Sequence, residues 1–341
     1  MSYNKWINYY RAIGLRPELI EAYGSYIKTL LDKKLPVIYN FEHLCLILGR
    51  NKAYLASAVN SSENHYREFS IPKRSGKTRT INAPYPALLE CQKWINSRIL
   101  STHIVSDHAH GFVKGRSIIT NAETHLGSSY ILKMDLKDFF PSISFSRVMR
   151  VFLNCGYTPK VSYYLSKLCT LNNKLPQGAA SSPTLSNIIA FPMDNRLANY
   201  ASRSGLRYTR YADDLVFSGN EIRANFIKNV SALINDTGFE VNPTKTQLIK
   251  SNQRKIITGI HLTNHGLRLP RKERRKISCE LHFIFKYGYY SHILKKRIRD
   301  PFYLFRLQGR LAFWRQIEPH NPSLITASDK LKTMIHKLSD D

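Results

Sequence analysis

The chain has 341 residues, 43% hydrophobic and 22% charged, which is ordinary for a folded protein and long enough to bury a substantial core. Its 51 Lys+Arg against 24 Asp+Glu leave a net charge of +27; such an excess repels itself and points to a polyanionic partner, with 20 Tyr and 16 Phe suited to base stacking. No run reaches the ~18 apolar residues of a membrane span, MSYNKWINYYRAIG lacks the apolar stretch of a secretory signal, and five scattered cysteines without a CxxC pair support neither a zinc site nor a disulfide framework, so the expected compartment is a reducing cytoplasm, with no membrane partner.

In chain order, residues 1–60 read as helical, with Leu19, Ala22, Tyr23, Tyr26, Ile27 and Leu30 at helical spacing over 18–31. YREFSIP and TRTINAP then flank Lys73-Arg74-Ser75-Gly76-Lys77, a hairpin with a basic tip that Pro84 and Pro86 end. A helix is expected over 88–100 with Trp94 and Ile95 inward, and 108–125, with Gly111 and Gly115, reads as loop. YILKMDL (130–136) reads as a strand, followed by helices at 145–154 and 159–171 and a Gly/Pro/Ser-rich turn at 175–183 that opens a helix near 184–201. Short strands at 206–211 and 215–218 bracket Ala212-Asp213-Asp214, and 221–236 forms a helix with Ile222, Phe226, Val230, Leu233 and Ile234 on one face. Residues 250–341 hold 20 Lys+Arg against 7 Asp+Glu, net +13, and read as a small basic helical region with Phe283, Phe285, Tyr289, Phe302 and Trp314.

Acids are scarce, so their placement is informative. Asp213 and Asp214 stand together at the tip of an apolar hairpin, where two like charges repel by about 1 kcal/mol or more. A third carboxylate, Asp135, ends another apolar strand. If the KMDL and RYADDLVF strands lie side by side, Asp135 and Asp213 can share a cation pair with Asp214 alongside. That arrangement suits two Mg²⁺ ions in phosphoryl transfer. The competing reading is a surface turn with two solvated aspartates, which the apolar flank of Tyr211, Leu215, Val216 and Phe217 disfavours.

These residues resemble the motifs of reverse transcriptases. YTRYADDLVFS (208–218) resembles the catalytic box and LKMDLKDFFPSI (132–143) the first catalytic motif. LPQGAASSPTLSN (175–187) resembles the nucleotide-pocket motif, with HGFVKGRS (110–117) and GFEVNPTKT (238–246) as flanking motifs. Asn121-Ala122-Glu123-Thr124-His125 fits the N-A-x-x-H pattern of retron enzymes, and Ile257-Thr258-Gly259 sits where that family carries Val-Thr-Gly. Ala180 departs from a common Pro, and Ile257 from Val; neither removes a polar group.

The resemblance implies an α+β fold shaped as a right hand. Fingers with an N-terminal helical extension cover 1–130, a palm with an antiparallel sheet flanked by helices covers 131–250, and a basic helical thumb covers 251–341. It implies Asp135, Asp213 and Asp214 as catalytic metal ligands for two Mg²⁺ ions. It implies Arg79, Phe140, Gln177, Gly178 and Lys245 at the nucleotide: Arg79 on the triphosphate, Phe140 against the sugar 2′ position, Lys245 near the leaving pyrophosphate. Lys73 and Lys77 at the fingers tip and Arg116 on template backbone are further expectations. Taken alone, Phe140 could be a core aromatic, Gly178 a turn residue and Lys245 a helix-end charge; Phe139 has the opposite strand parity and reads as core. Asn121 and His125 are expected to help handle RNA, although a hydrogen-bonded structural pair is the plainer reading, and Arg271, Lys272, Arg274 and Arg275 to bind RNA phosphates. The implied partners are dNTPs, a cognate structured noncoding RNA (msr-msd type), the branched single-stranded msDNA product, host RNase H and a separate effector in antiphage defence. The few acids after 250 argue against an RNase H domain of its own. The rivals are a group II intron-like or abortive-infection reverse transcriptase and a non-catalytic RNA-binding scaffold.

Overall fold

One antiparallel sheet with two apolar faces organises the chain. The computed structural model describes residues 2–72, 76 and 78–340. The N-terminal helices are α1 (Tyr3–Ala12), α2 (Pro17–Asp32), α3 (Phe41–Leu48) and α4 (Lys52–Asn60). Asn40 and Asn51 cap the last two, each side-chain oxygen accepting an N–H three residues on, from His43 at 2.9 Å and Tyr54 at 2.7 Å. On α2 the buried stripe is Gly24, Ile27 and Leu30, while Leu19 and Tyr23 are left exposed, contrary to expectation. The reason is that α1 docks on Gly24, where a Cβ would meet the Tyr3 hydroxyl at 2.9 Å.

The hairpin is β1 (Tyr66–Pro72) and β2 (Thr78–Pro84), antiparallel with Tyr66 opposite Pro84. Lys73 and Lys77, the expected basic tip, lie outside the described residues. After α5 (Pro86–Arg98), the segment expected as loop ends in a short helix, α6 (Ile118–Glu123). Its residues Ile118, Ile119 and Thr120 are poor helix formers. A capping box compensates: Ser117 Oγ accepts the Thr120 N–H and Thr120 Oγ1 accepts the Ser117 N–H.

β3 (Tyr130–Asp135), α7 (Phe145–Cys155), α8 (Pro159–Cys169), α9 (Ser182–Arg203), β4 (Arg207–Tyr211), β5 (Asp214–Gly219), α10 (Ala224–Asn235) and β6 (Gln247–Ile249) build the central layer. Its four strands run in the order β4-β5-β3-β6, all antiparallel. Alternation assigns the faces. Leu132, Met134, Leu215 and Phe217 join the larger core with Val148, Phe152, Leu165, Leu197 and Phe226 from the helices behind. Ile131, Val216 and Ile249 face the other way and join a second core with Ile257, Ile260, Ile277, Leu281, Leu311 and Trp314.

That second core belongs to the C-terminal region, which is not wholly helical as expected. It begins with an antiparallel sheet, β7 (Lys255–Ile257), β8 (Ile260–Thr263) and β9 (Gly266–Arg268), before α11 (Arg271–Tyr287), α12 (Tyr289–Lys296), α13 (Tyr303–Ile317) and α14 (Pro322–Asp340). Strands of three or four residues are too short for period-2 alternation to register. Among the described residues no helix is long and apolar enough to cross a membrane.

Candidate active site on the central sheet

β3 and β5 pair so that Asp135 stands directly opposite Asp214, and opposite residues of an antiparallel pair share a face. Asp214, rather than Asp213, is thus the cross-strand partner of Asp135. Asp213 lies in the turn between β4 and β5, where its carbonyl accepts the Leu136 N–H at 2.9 Å. Burial first, and then the neighbouring carboxylates, push the Asp214 carboxyl up to about 6; burial and Asp135 raise Asp213 as well. The preceding Ala212 takes a left-handed conformation, φ +56°, and Gly111 packs on this turn so closely that a Cβ would meet the Ala212 nitrogen at 2.6 Å.

Lys245, in the short 3₁₀ turn before β6, donates to Asp135 Oδ2 at 2.7 Å. Partial burial opposes its charge, but the Asp135 bond and the other carboxylates hold its pKa above the ordinary value. Asp135, Asp214 and Lys245 line one cavity of about 410 Å³ with Lys133, Thr244, Thr246 and Gln247. Arg79 is exposed on β2, near enough that its charge acts on Asp213. The pocket loop is tied to the same strand: the Gln177 carbonyl accepts the Asn82 N–H at 2.8 Å. Gly178 has φ +127°, and a Cβ there would stand 2.7 Å from the Asn82 carbonyl. Close approach to the hairpin therefore already requires this glycine. Phe140 is half-buried, with its ring 6.1 Å from Phe112 and 5.5 Å from Phe139, which is buried. Both lie in turns beyond the end of β3, so strand parity does not separate them as expected; the packing does. Arg116 bonds the Asp107 carboxylate at 3.1 Å.

Sequence reasoning missed two buried polar groups that hold this site. Gln92 on α5 is wholly buried; its amide bonds the Tyr66 hydroxyl at 2.7 Å, the Leu168 carbonyl at 2.9 Å and the Ala180 N–H at 3.2 Å, fixing the pocket loop. Arg210, on β4, is also wholly buried and forks onto Asp194 of α9 at 2.8 and 2.7 Å. The signal was available: a second arginine three residues into a short strand whose other inner positions are Tyr208 and Thr209, and one aspartate inside a helix.

The RNA-facing expectation for Asn121 and His125 is corrected by burial: both side chains are at 0% exposure. His125 bridges Ser218 Oγ at 2.6 Å and Thr209 Oγ1 at 2.7 Å, and burial pushes its pKa down to about 3. The Asn121 amide is 3.5 Å from Thr258 Oγ1, whose hydroxyl also donates to the Ile118 carbonyl at 3.1 Å. The Asn-Ala-Glu-Thr-His and Ile-Thr-Gly strings therefore meet and staple α6 between the central sheet and β7–β9. Arg271, Lys272 and Arg275 are exposed on the first turn and a half of α11, with Arg274 half-buried; none of them is among the groups that bond or act on Asp135, Asp213 or Asp214.

The all-oxygen donor set of Asp135, Asp213 and Asp214 is the chemistry a hard divalent cation takes, and their crowding is the cost such a cation would relieve. Among the described residues no group of three or more His, Cys, Asp or Glu side chains is close enough to hold a metal ion as oriented here; Asp135 is engaged with Lys245 instead.

Residues 71–262 match the family model described as reverse transcriptase (RNA-dependent DNA polymerase). The retron Mx65 reverse transcriptase of Myxococcus xanthus is 40% identical over 73% of this chain and 64% of its own length. The Mx162 enzyme of the same species is 35% identical over 75% and 58%. The chain thus spans under two thirds of both. The retron Ec86 reverse transcriptase of Escherichia coli is 33% identical over 77% of this chain and 84% of its own length. A solved telomerase from Candida albicans, in complex with a telomeric RNA fragment, aligns over 83% of this chain and 65% of its own at 10% identity and TM-score 0.45, too distant to bear on function.

Proposed function

This chain belongs to the reverse transcriptase family, in its retron branch, and we propose that it is an RNA-directed DNA polymerase that copies a cognate structured noncoding RNA into branched, multicopy single-stranded DNA. The observation that carries the reading is Asp135 opposite Asp214 on paired strands, with Asp213 adjacent at the tip. The family implies a divalent metal; Asp135, Asp213 and Asp214 would hold two Mg²⁺ ions, which when bound supply charge neutralisation at the attacking hydroxyl and the departing phosphate.

The remaining roles belong to the chain itself. A priming hydroxyl attacks the α-phosphorus of a dNTP, a phosphodiester forms and pyrophosphate leaves. Arg79 forks onto the triphosphate from β2. Gln177 and Gly178 line the sugar and base, and Phe140 closes the space a ribose 2′-hydroxyl needs. Lys245 releases Asp135 and places its ammonium by the leaving pyrophosphate. In this reading 1–130 are fingers, 131–250 palm and 251–341 thumb, with Arg271, Lys272, Arg274 and Arg275 on RNA phosphates. The product is msDNA; host RNase H trims the template, a separate effector answers to the complex in antiphage defence, and the work is done in the cytoplasm.

The test is to express the chain with its neighbouring locus and sequence the nucleic acid that co-purifies. A DNA strand joined to RNA and sensitive to debranching is expected, absent from Asp213→Asn and Asp214→Asn variants that still bind RNA. Random host RNA alone sinks the retron reading; synthesis surviving both substitutions sinks the polymerase reading.

A further inference from the structure

The buried arginine beside the carboxylate turn has a geometry that ion pairing alone does not require. Arg210 uses Nε and Nη2 for Asp194, but Nη1 donates to the Ala212 carbonyl at 3.1 Å. Nη2 also bonds Asn187 Oδ1 at 3.0 Å, and the Asn187 amide donates to the Gly111 carbonyl at 2.9 Å. The Tyr208 hydroxyl fills the remaining site on Asp194 Oδ1 at 2.8 Å. The guanidinium also lies 5.6 Å from the Phe139 ring.

Two of these contacts lead to the carboxylate turn, the one to Ala212 directly and the one through Asn187 by way of Gly111. Ala212 is left-handed without being glycine, a conformation that costs of order 1 kcal/mol and persists only where its surroundings enforce it. Three things enforce it. Arg210 Nη1 holds the Ala212 carbonyl, the Leu136 N–H holds the next carbonyl, that of Asp213, and Gly111 fills the space behind the Ala212 nitrogen. Asp194 and Asn187, both on α9, keep the guanidinium from turning away. A wholly buried charge is costly, and an apolar pair of the same volume is often as stable. Stability by itself therefore does not account for it.

We infer that Arg210 is a positioning residue: with Asp194 as its anchor it clamps the Ala212 carbonyl and so sets the direction in which Asp213 and Asp214 project. This rests on Asp213 and Asp214 being the catalytic pair. It extends that reading to a residue that bonds the Asp194 carboxylate but touches neither substrate nor the catalytic pair. The same arginine joins the turn to the 108–112 segment through Asn187 and Gly111, so Phe112, beside Phe140, is held to one frame with the carboxylates.

The test is the full-length double variant Asp194→Asn/Arg210→Gln. It keeps neutral hydrogen-bonding partners in the buried space and removes the third nitrogen that reaches Ala212. Single-nucleotide extension, Mn²⁺ binding by electron paramagnetic resonance, RNA affinity and thermal unfolding are measured together. kcat is expected to fall about 10- to 100-fold, KM for dNTP to stay within about twofold, and the Mn²⁺ dissociation constant to rise about fivefold or more, with RNA affinity unchanged. If the double variant does not fold, Arg210→Lys, which keeps a charge opposite Asp194, is read the same way. A folded variant with wild-type kcat and Mn²⁺ affinity overturns the inference. Asp213→Asn, run in parallel, separates the failures: if it still makes DNA, the underlying reading is wrong rather than the clamp.

Discussion

The edge of the central sheet and the start of α11 carry charge in opposite ways. At the sheet edge three of the chain's 24 acids crowd at the ends of two adjacent strands and the turn before one of them, half-buried or buried; Lys245 is engaged on Asp135 and Arg210 on Asp194, while Arg79 and Lys133 act on the acids through their charge. At α11, Arg271, Lys272 and Arg275 stand in water, and neither they nor Arg274 form an ion pair among the described residues. They also occupy the first turns of a helix, whose dipole is itself positive there. Neither arrangement serves the isolated fold. One is acid repulsion that a cation relieves within the site; the other is base repulsion that a polyanion relieves across an open surface. Local electrostatic misfit thus points to ligands of opposite sign, and burial decides whether the ligand is an ion or a macromolecule.

His125 lies at the seam between these regions and offers the largest effect. Its ring bonds hydroxyls from β4 and β5 at full burial. His125→Ala leaves a cavity and strips a partner from two buried hydroxyls, of which, among the described residues, only Ser218 keeps another, the Ser128 hydroxyl at 2.9 Å, so unfolding free energy should drop by about 3 kcal/mol. RNA affinity of the molecules that remain folded should not change, which equilibrium denaturation and filter binding check side by side. A variant of normal stability with weakened RNA binding would return His125 to the RNA-facing role and erase the boundary drawn here.

The second test acts on the exposed side. The double substitution Arg271→Gln/Arg275→Gln should weaken RNA binding about tenfold near physiological salt and flatten the slope of log affinity against log salt by roughly one per residue. Incorporation on saturating template should stay near wild type, because neither residue bonds or acts on the carboxylates. An unchanged slope would remove α11 from the RNA face and leave its charge without a partner.

The parts of this picture that were legible in sequence share a cause. The strands carrying Asp135 and Asp213-Asp214 are apolar and long enough to show, and their pairing follows from the acids themselves. The hairpin around 73–77 and the helices at 145–154, 159–171 and 221–236 announce themselves by turns and periodicity. What stayed hidden depends on contacts distant in sequence. Asn121 lies 137 positions from Thr258 and His125 lies 93 from Ser218, so no local pattern says that these side chains face inward. Gly178 reads as a turn or a nucleotide-facing glycine until the Asn82 carbonyl appears beside it. Arg210 sat inside a quoted motif, yet its reach to Ala212 depends on α9 supplying Asp194 and Asn187.

The smallest effect is the one whose sign best separates the two regions. Asp214 titrates near 6 in the folded chain against 3.8 for the unperturbed group. Between those values the folded state binds a proton that the unfolded state does not, so this group makes the metal-free protein more stable as pH falls from 7 toward 5. His125, lowered to about 3, and His110, lowered to about 4, act the other way: the unfolded chain takes up their protons first, and stability falls over the same range. The net curve therefore says little, but the difference between wild type and Asp214→Asn isolates the carboxylate. Wild type should gain stability relative to the variant on going from pH 7 to pH 5 in chelator, by chemical denaturation. RNA binding through α11 should stay level over that interval. A stability difference that is flat or reversed would mean that the acids at the sheet edge are not crowded, and the contrast between the two surfaces would lose its first half.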